Sequence, residues 1–167
     1  MIWFTSDTHF GHALMAEERG FSNVDQMDNA LIKNWNSRVR KKENVYHLGD
    51  VGLCPEKRLL EILHALHGNI FLVRGNHDFK KIKGVSLTRC FAWIKDTYEL
   101  KLNQETIWLS HYAHHVWPKS HYGSLHLYGH SHGKLEKSTK KTSMDVGVDV
   151  HNLAPVSHEK VFRLLKG

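Results

Sequence analysis

The chain has 167 residues, of which 41% are hydrophobic and 24% charged, a composition typical of a globular protein. No apolar run approaches the roughly 18 residues that a membrane helix needs, and no secretory leader is recognisable, so we expect one cytoplasmic domain over residues 1–167 with no membrane partner. The net charge of +6 favours anionic partners, among them phosphorylated molecules and nucleic acid.

The first strand is predicted at residues 2–5, and it leads into a loop that contains Asp7 and His9. Side chains two positions apart in an extended segment project to the same side, which suits two ligands of one metal ion. For this pair alone, a capping Asp and a surface His are an equal alternative. A helix is predicted at 23–39, because apolar residues recur there at steps of three and four behind an Asn23 N-cap.

The next elements alternate between strands and a helix. A strand at 45–48 ends at Asp50, a helix follows from Pro55, and a third strand at 70–73 ends in the motif Gly-Asn-His-Asp at 75–78. This order predicts parallel strands joined by right-handed crossovers. In such sheets the groups that handle ligands collect at the carboxyl ends of the strands.

Residues 79–95 show no clear pattern, and a hairpin is predicted from strands at 97–102 and 105–109. The second of these strands leads to His111. The following loop, residues 112–122, is rich in histidine and aromatic side chains, and we interpret its tip as a substrate lid.

A further strand at 125–128 ends in Gly-His-Ser-His at 129–132. Beyond it the sequence predicts a lysine-rich turn, then an apolar stretch at 144–150 that carries Asp145 and Asp149, and a closing helix with Ser157 as its N-cap. The lysines of that turn are Lys134, Lys137, Lys140 and Lys141.

Seven of the eight polar side chains at these strand ends could form a donor set of two carboxylates, one carboxamide and four imidazoles. Nitrogen and oxygen donors without a thiolate suit Mn²⁺, iron, Zn²⁺ or Ni²⁺. Seven ligands exceed the need of one four-coordinate zinc and fit two metals that share a bridging carboxylate. Cys54 and Cys90 lack metal or redox spacing and are expected to be reduced thiols. The eight side chains are Asp7, His9, Asp50, Asn76, His77, His111, His130 and His132.

The order and spacing of these motifs resemble the signature of the calcineurin-like metallophosphoesterases. The segment Val146-Gly147-Val148-Asp149, with Pro155 beyond it, is similar to small bacterial and phage members of that family. The resemblance implies a four-layer α-β-β-α sandwich of two mixed β-sheets flanked by helices. It also implies two divalent metal ions, with Mn²⁺ first among the alternatives.

The resemblance carries over roles for individual residues. It places Asp7, His9 and His132 on one metal and Asn76, His111 and His130 on the other, with Asp50 bridging the two. His77 would not bind metal and would face the substrate as the catalytic histidine, stabilising the transition state or protonating the leaving oxygen. The residues to which these roles are carried over are Asp7, His9, Asp50, Asn76, His77, His111, His130 and His132.

One position departs from the family pattern. Many relatives have an Asp three residues after the Gly-Asp motif, which orients the catalytic His, and this chain has Leu53 there. Asp78 or Asp149 are the alternatives for holding His77, and without either the imidazole would be loosely set. Asp78 is also a candidate substrate contact, together with His12 and His115.

The function implied is hydrolysis of a phosphodiester or phosphomonoester by a bridging hydroxide on a dinuclear metal centre. The positive charge and the aromatic loop favour nucleotides or nucleic acid as substrates. The alternative is a catalytically weak binding or scaffold protein that retains the fold, as the retromer subunit of this family does. The substrate and the oligomeric state are left open at this stage.

Overall fold

The computed structural model describes residues 1–135 and 141–167, so Lys137 and Lys140 of the predicted lysine-rich turn lie outside the described residues. The strands in the described part are β1 (Ile2–Thr5), β2 (Asn44–His47), β3 (Asn69–Val73), β4 (Phe91–Lys95), β5 (Thr97–Leu102), β6 (Glu105–Ser110), β7 (Leu125–Tyr128), β8 (Ser143–Asp145) and β9 (Val156–Ser157). The helices are α1 (Ala13–Glu18), α2 (Val24–Arg38), α3 (Glu56–Ala65), α4 (Asp78–Lys81), α5 (Val85–Thr88) and α6 (His158–Lys166).

Two mixed β-sheets flanked by helices make up the fold, as predicted. Within the described residues, one sheet has the strand order β4-β3-β2-β1-β9, with β1 to β4 parallel and β9 antiparallel to β1. The other has the order β5-β6-β7-β8, with an antiparallel hairpin of β5 and β6 followed by parallel pairs. The pairing of β1 with β2 and of β2 with β3 confirms the parallel order expected from the sequence.

The central strands are apolar throughout because both of their faces are buried. In β3, Ile70 and Leu72 pack on the helices α2 and α3, whereas Val73 packs in the core between the two sheets. Two cores therefore lie on opposite sides of the first sheet. They fix β1, β2 and β3 in register, and with them the loops that leave their carboxyl ends.

The start of the predicted α2 helix is confirmed by its cap. Asn23 accepts a hydrogen bond from the amide of Gln26 at 2.9 Å, and the apolar stripe that includes Leu31 and Trp35 is buried. Ser157 caps α6 in the same way, through the amide of Lys160. Pro55 precedes the first residue of α3 by one position.

The hairpin turn at Asn103 and Gln104 is also confirmed. Both residues have positive φ angles, 50° and 67°, the conformation that two-residue hairpin loops adopt.

Other elements were not recognised in the sequence. The helix α1 has six residues and β9 has two, too few for a periodic pattern to emerge. The unclear segment 79–95 contains α4, α5 and β4, and the apolar stretch 144–150 divides into β8 and a 3₁₀ turn at Val148–Val150. Among the helices of the described residues, none has the length and apolar character that crossing a membrane requires.

Candidate metal centre

The seven predicted ligands lie in loops that follow strands of both sheets. Asp7, Asp50 and Asn76 follow the neighbouring parallel strands β1, β2 and β3, while His111 and His130 follow β6 and β7 of the second sheet. Because the two sheets pack face to face, these strand ends meet along one edge of the sandwich.

The ligands form two clusters. The donor atoms of Asp7, His9 and His132 lie within 4.8 Å of one another, and so do those of Asp50, His111 and His130. We call these the first and the second metal position. No other such cluster occurs among the residues that the structure describes.

Asp50 lies between the two positions. Its Oδ2 atom is 3.8 Å from Nε2 of His9 in the first position and 3.6 Å from Nε2 of His111 in the second. The carboxamide oxygen of Asn76 is 3.1 Å from the same His111 nitrogen, which adds a fourth donor to the second position. One carboxylate therefore reaches both clusters, as a bridging ligand must.

Burial and unpaired atoms show that these residues fit a cation. Asp7 Oδ1 and His9 Nδ1 are buried and have no hydrogen-bond partner among the described residues. Burial raises the pKa of Asp7 to about 7, since nothing nearby fully compensates its negative charge. Burial, assisted by His132, lowers the pKa of His9 to about 2, which keeps that imidazole neutral and able to donate to a metal.

Strained backbone conformations coincide with the ligands. Five of the seven have φ angles between 48° and 64°, a region that residues other than glycine rarely adopt. Asp7 and His9 are among them, so the expectation that they project from an extended segment is wrong, although their donor atoms do meet. Strain of this kind persists where the surrounding structure holds it and is concentrated at functional sites.

Two glycines of the motifs are required for close approach of the loops. A Cβ atom at Gly75 would collide with the Asp50 carboxylate, and one at Gly129 would collide with Ser6 Oγ and the Asp7 carboxylate. The glycines therefore let neighbouring strand ends come together closely enough to bring their ligands into one cluster.

His77 lies at the open side of the centre. Its side chain is 42% exposed, its Nε2 is 3.9 Å from Asp50 Oδ2, and its ring is 5.7 Å from that of His9. Its amide donates to Asp50 Oδ1 at 3.0 Å, which ties the His77 backbone to the bridging carboxylate. The imidazole can therefore approach a substrate that reaches the two metal positions.

The two carboxylates considered for orienting His77 bind other groups. Asp78 is fully buried and accepts hydrogen bonds from the backbone amides of Asp50, Val51 and Gly75. It therefore stabilises the ligand loops, and the expectation that it contacts substrate or holds His77 is corrected. Asp149 accepts a hydrogen bond from Nδ1 of His132 at 2.6 Å and pairs with Arg19, so it orients a ligand of the first position instead.

The other two predicted substrate contacts are His12 and His115. The ring of His12 is 5.7 Å from that of His9, at the start of α1, whereas His115 is exposed in the loop beyond β6. That loop is not an open lid along its whole length, because the buried Trp117 donates to Ser124 and packs on His126.

Tyr112 also lies at the site, although no sequence pattern assigns it an individual role. It is 49% exposed, its hydroxyl is 3.4 Å from the carboxamide oxygen of Asn76, and its ring is 4.6 Å from that of His130. Its position directly after His111 in a loop rich in aromatic residues was the available signal. Tyr112 forms the wall of the centre beside the second position.

Arg19 is a second residue that sequence reasoning missed. It follows α1 and donates to Asp149 and to backbone carbonyls of the loop that carries Asp7 and His9. Burial alone would raise the pKa of Asp149, but hydrogen bonds from His132 and Arg19 outweigh it and hold that pKa below its ordinary value.

The two mixed sheets and the oxygen and nitrogen donors at their carboxyl ends define the metallophosphoesterase fold class. The family model described as "Calcineurin-like phosphoesterase superfamily domain" matches residues 1–150, and the chain belongs to this metal-dependent family of hydrolases.

The chain also matches relatives and a solved structure over nearly their whole lengths. The chain is 34% identical to the uncharacterised protein MJ1445 of Methanocaldococcus jannaschii, covering 99% of this chain and 91% of that protein. It is 28% identical to the gene 66 protein of Mycobacterium phage D29, covering 93% and 92% respectively. The crystal structure of AQ665 from Aquifex aeolicus matches with a TM-score of 0.77 and 25% identity over 98% of each chain.

Proposed function

We propose that the protein is a metal-dependent phosphodiesterase that works with two divalent ions at the first and second positions. The observation that carries the proposal is the placement of Asp50 Oδ2 within 3.8 Å of a histidine nitrogen from each cluster. Nitrogen and oxygen donors without a thiolate suit Mn²⁺, iron, Zn²⁺ or Ni²⁺, and the family resemblance makes Mn²⁺ the first of these to test.

In this proposal each predicted ligand binds the ion of the cluster to which it belongs. Asp7, His9 and His132 would hold the first ion, and His111, His130 and Asn76 would hold the second, with Asp50 shared between them. Two ions held there would supply a water molecule of lowered pKa and positive charge for a phosphoryl group.

His77 supplies the proton that the leaving oxygen needs. Its imidazole is 42% exposed, and its Nε2 lies 3.9 Å from the Asp50 carboxylate that reaches both clusters. Histidine is the side chain that most often transfers protons in general acid–base catalysis. The hydrogen bond from its amide to Asp50 fixes where its backbone stands relative to the metal ligands. In this mechanism His77 is the catalytic acid, and Asp50 is catalytic through the two ions that it joins.

We further propose a substrate that carries an aromatic or nucleobase group next to the phosphoester. Tyr112 exposes half of its ring at the second position, and the chain carries a net charge of +6. Bases stack on aromatic side chains, and positive charge attracts phosphates. Nucleotides and nucleic acid are thus the substrates to test after simple esters.

The proposal is tested by comparing two esters on protein that has been stripped of metal and refilled with Mn²⁺. We expect bis-p-nitrophenyl phosphate, a diester, to be hydrolysed faster than the monoester p-nitrophenyl phosphate. Turnover of the monoester alone would overturn the preference for diesters. Protein that binds two ions and hydrolyses neither ester, nor a panel of nucleotides and single-stranded nucleic acids, would overturn the assignment as an enzyme.

A specific observation favours one alternative, a catalytically weak binding protein. Leu53 stands where relatives carry the orienting Asp, and the hydrogen bonds of Asp78 and Asp149 go to groups other than His77. On this alternative, replacing His77 by alanine would leave the slow turnover unchanged. On the enzyme proposal, the same replacement removes most of the activity.

A further inference from the structure

One buried guanidinium contacts the backbone of the loop that carries two ligands of the first position. The side chain of Arg19 is 5% exposed. Its Nη2 atom donates to the carbonyl oxygen of Asp7 at 2.7 Å, and its Nη1 atom donates to the carbonyl oxygen of Thr8 at 2.9 Å. The carbonyl groups just before His9 are thereby held in place, in a segment whose Asp7 and His9 both have positive φ angles.

The same guanidinium also holds the third ligand through a carboxylate. Arg19 donates from Nε and Nη2 to the two oxygens of Asp149, at 2.7 and 2.9 Å. Oδ2 of Asp149 in turn accepts from Nδ1 of His132 at 2.6 Å. A carboxylate on one ring nitrogen of a metal-binding histidine fixes its tautomer, directs the other nitrogen to the metal and makes that nitrogen a better donor.

The second position is supported differently. Nδ1 of His111 lies 2.7 Å from the backbone carbonyl of Leu48, which fixes its tautomer without an ionised group. The loop of Asp50 is held by backbone amides that donate to Asp78. Arg19 contacts the loops of the first position, and the supports of the second position come from the ends of β2 and β3.

We propose that Arg19 and Asp149 form a positioning pair that sets the metal affinity of the first position selectively, and that leaves the affinity of the second position nearly unchanged. This inference rests on the two-metal site of the proposed function. Neither residue touches the substrate or the reacting atoms in this account. The pair acts on the metal only through Asp7, His9 and His132.

Lysine cannot replace Arg19 in this arrangement. The guanidinium is a planar fork with five donors, and here it serves both oxygens of one carboxylate and two carbonyls at once. A lysine ammonium keeps the charge, but its one nitrogen atom cannot reach all four acceptors. Arg19→Lys therefore removes the hydrogen-bond geometry of the guanidinium while keeping its positive charge.

The test is the occupancy of each position, measured without reference to activity. Wild-type protein, Arg19→Lys and Asp149→Asn are equilibrated with Mn²⁺ over a range of free concentrations, and bound metal is counted by mass spectrometry. Anomalous scattering from crystals of the same samples then shows which position is filled. We expect both variants to bind Mn²⁺ about 10–100-fold more weakly at the first position, with the second position still filled.

Arg58→Lys is the matched control. Arg58 also pairs with two carboxylates, Asp25 and Asp28, but it contacts none of the proposed ligands. We expect this variant to bind two ions with wild-type affinity. Thermal unfolding of each variant without metal shows whether it is folded, and Asp149→Asn, which changes no side-chain volume, serves if Arg19→Lys fails to fold.

The outcomes separate this inference from the proposed function. Wild-type protein that fills both positions, with variants that lose both ions equally or lose none, would overturn the positioning pair alone. Wild-type protein that fills neither position would overturn the two-metal function and the inference with it. Loss confined to the first position supports both.

Discussion

The two metal positions are built by different means. The first depends on side chains that are far apart in the sequence, because Arg19 and Asp149 are 130 residues apart and together contact the loop of Asp7 and the ring of His132. The second depends on the sheet itself, through the carbonyl of Leu48 and the adjacent ends of β2 and β3. We therefore expect the first position to be the more sensitive to substitution of residues outside the ligand set.

Asp50→Asn removes the carboxylate that the two positions share, and it has the largest expected effect. Because Oδ2 of Asp50 reaches a histidine of each cluster, we expect the affinity for both ions to fall and turnover to be lost. Metal counting and hydrolysis of bis-p-nitrophenyl phosphate check this. Retention of two tightly bound ions would show that Asp50 is not the bridge.

His77→Ala is expected to lower turnover without changing the binding of metal at either position. Loss of a general acid typically lowers turnover by about 10²–10⁴-fold. We expect a decrease in that range with two ions still bound, measured as the turnover number and metal content of the same sample. An unchanged turnover number would contradict the role of His77 and favour the binding-protein alternative.

Gly129→Ala is expected to weaken metal binding at the first position through a steric clash. The added Cβ would meet Ser6 Oγ and the Asp7 carboxylate, so Asp7 must move and the first ion should be lost before the second. Gly84→Ala is the control, because its Cβ would meet only the flexible end of Glu56. Equal metal content in the two variants would show that the close approach at Gly129 is dispensable.

Asp78→Asn weakens the backbone support of the second position. The carboxylate accepts three backbone hydrogen bonds, and an amide group offers one oxygen and presents N–H groups to buried donors. Leaving such groups unpaired costs about 1–3 kcal/mol each, so we expect the free energy of unfolding to fall by about that amount. Urea unfolding measures it, and a loss of the first ion before the second would contradict the division between the positions.

The smallest expected effect is on the pH dependence of the free energy of unfolding. It comes from His126 in β7, the strand that leads into ligands of both positions. Burial lowers the pKa of His126 to about 4, so the folded protein binds fewer protons than the unfolded chain between that value and the ordinary 6.5. The contribution of His126 to stability is complete above pH 6.5 and is lost as the pH falls towards 4.

This pH effect is measured as a difference in slope. We expect the unfolding free energy of metal-free His126→Gln to vary less steeply with pH over that window than that of wild-type protein. The same substitution at the exposed His64 is measured in parallel as a control for the loss of a histidine. Identical slopes for all three proteins would contradict a neutral, buried His126.

The sequence was sufficient for the family and the fold because both depend on local patterns repeated in order. Each apolar run buried on both faces ends in a polar loop, and this predicts β1, β2 and β3 and the residues Asp7, Asp50 and Asn76 that follow them. The order and spacing of the motifs provide the resemblance to the family. The sheet then brings the loops together.

What the sequence did not predict depends on contacts between distant residues. The partnership of Arg19 with Asp149 leaves no local pattern, and α1 is too short to show a periodic stripe. The left-handed conformations of Asp7 and His9 were missed because non-glycine residues rarely adopt them and the surrounding structure imposes them. The role of Asp78 was also predicted wrongly, because the backbone amides that it accepts hydrogen bonds from include those of Asp50 and Val51, which are distant in the sequence.

The most direct test of the account is the number of metal ions that each chain holds, measured by mass spectrometry on protein refilled with Mn²⁺ and paired with diester turnover on the same sample. The account predicts about two ions per chain and hydrolysis of bis-p-nitrophenyl phosphate that rises as the second ion binds. A chain that binds no metal at the clusters formed by Asp7, His9 and His132 and by Asp50, His111 and His130 would contradict it.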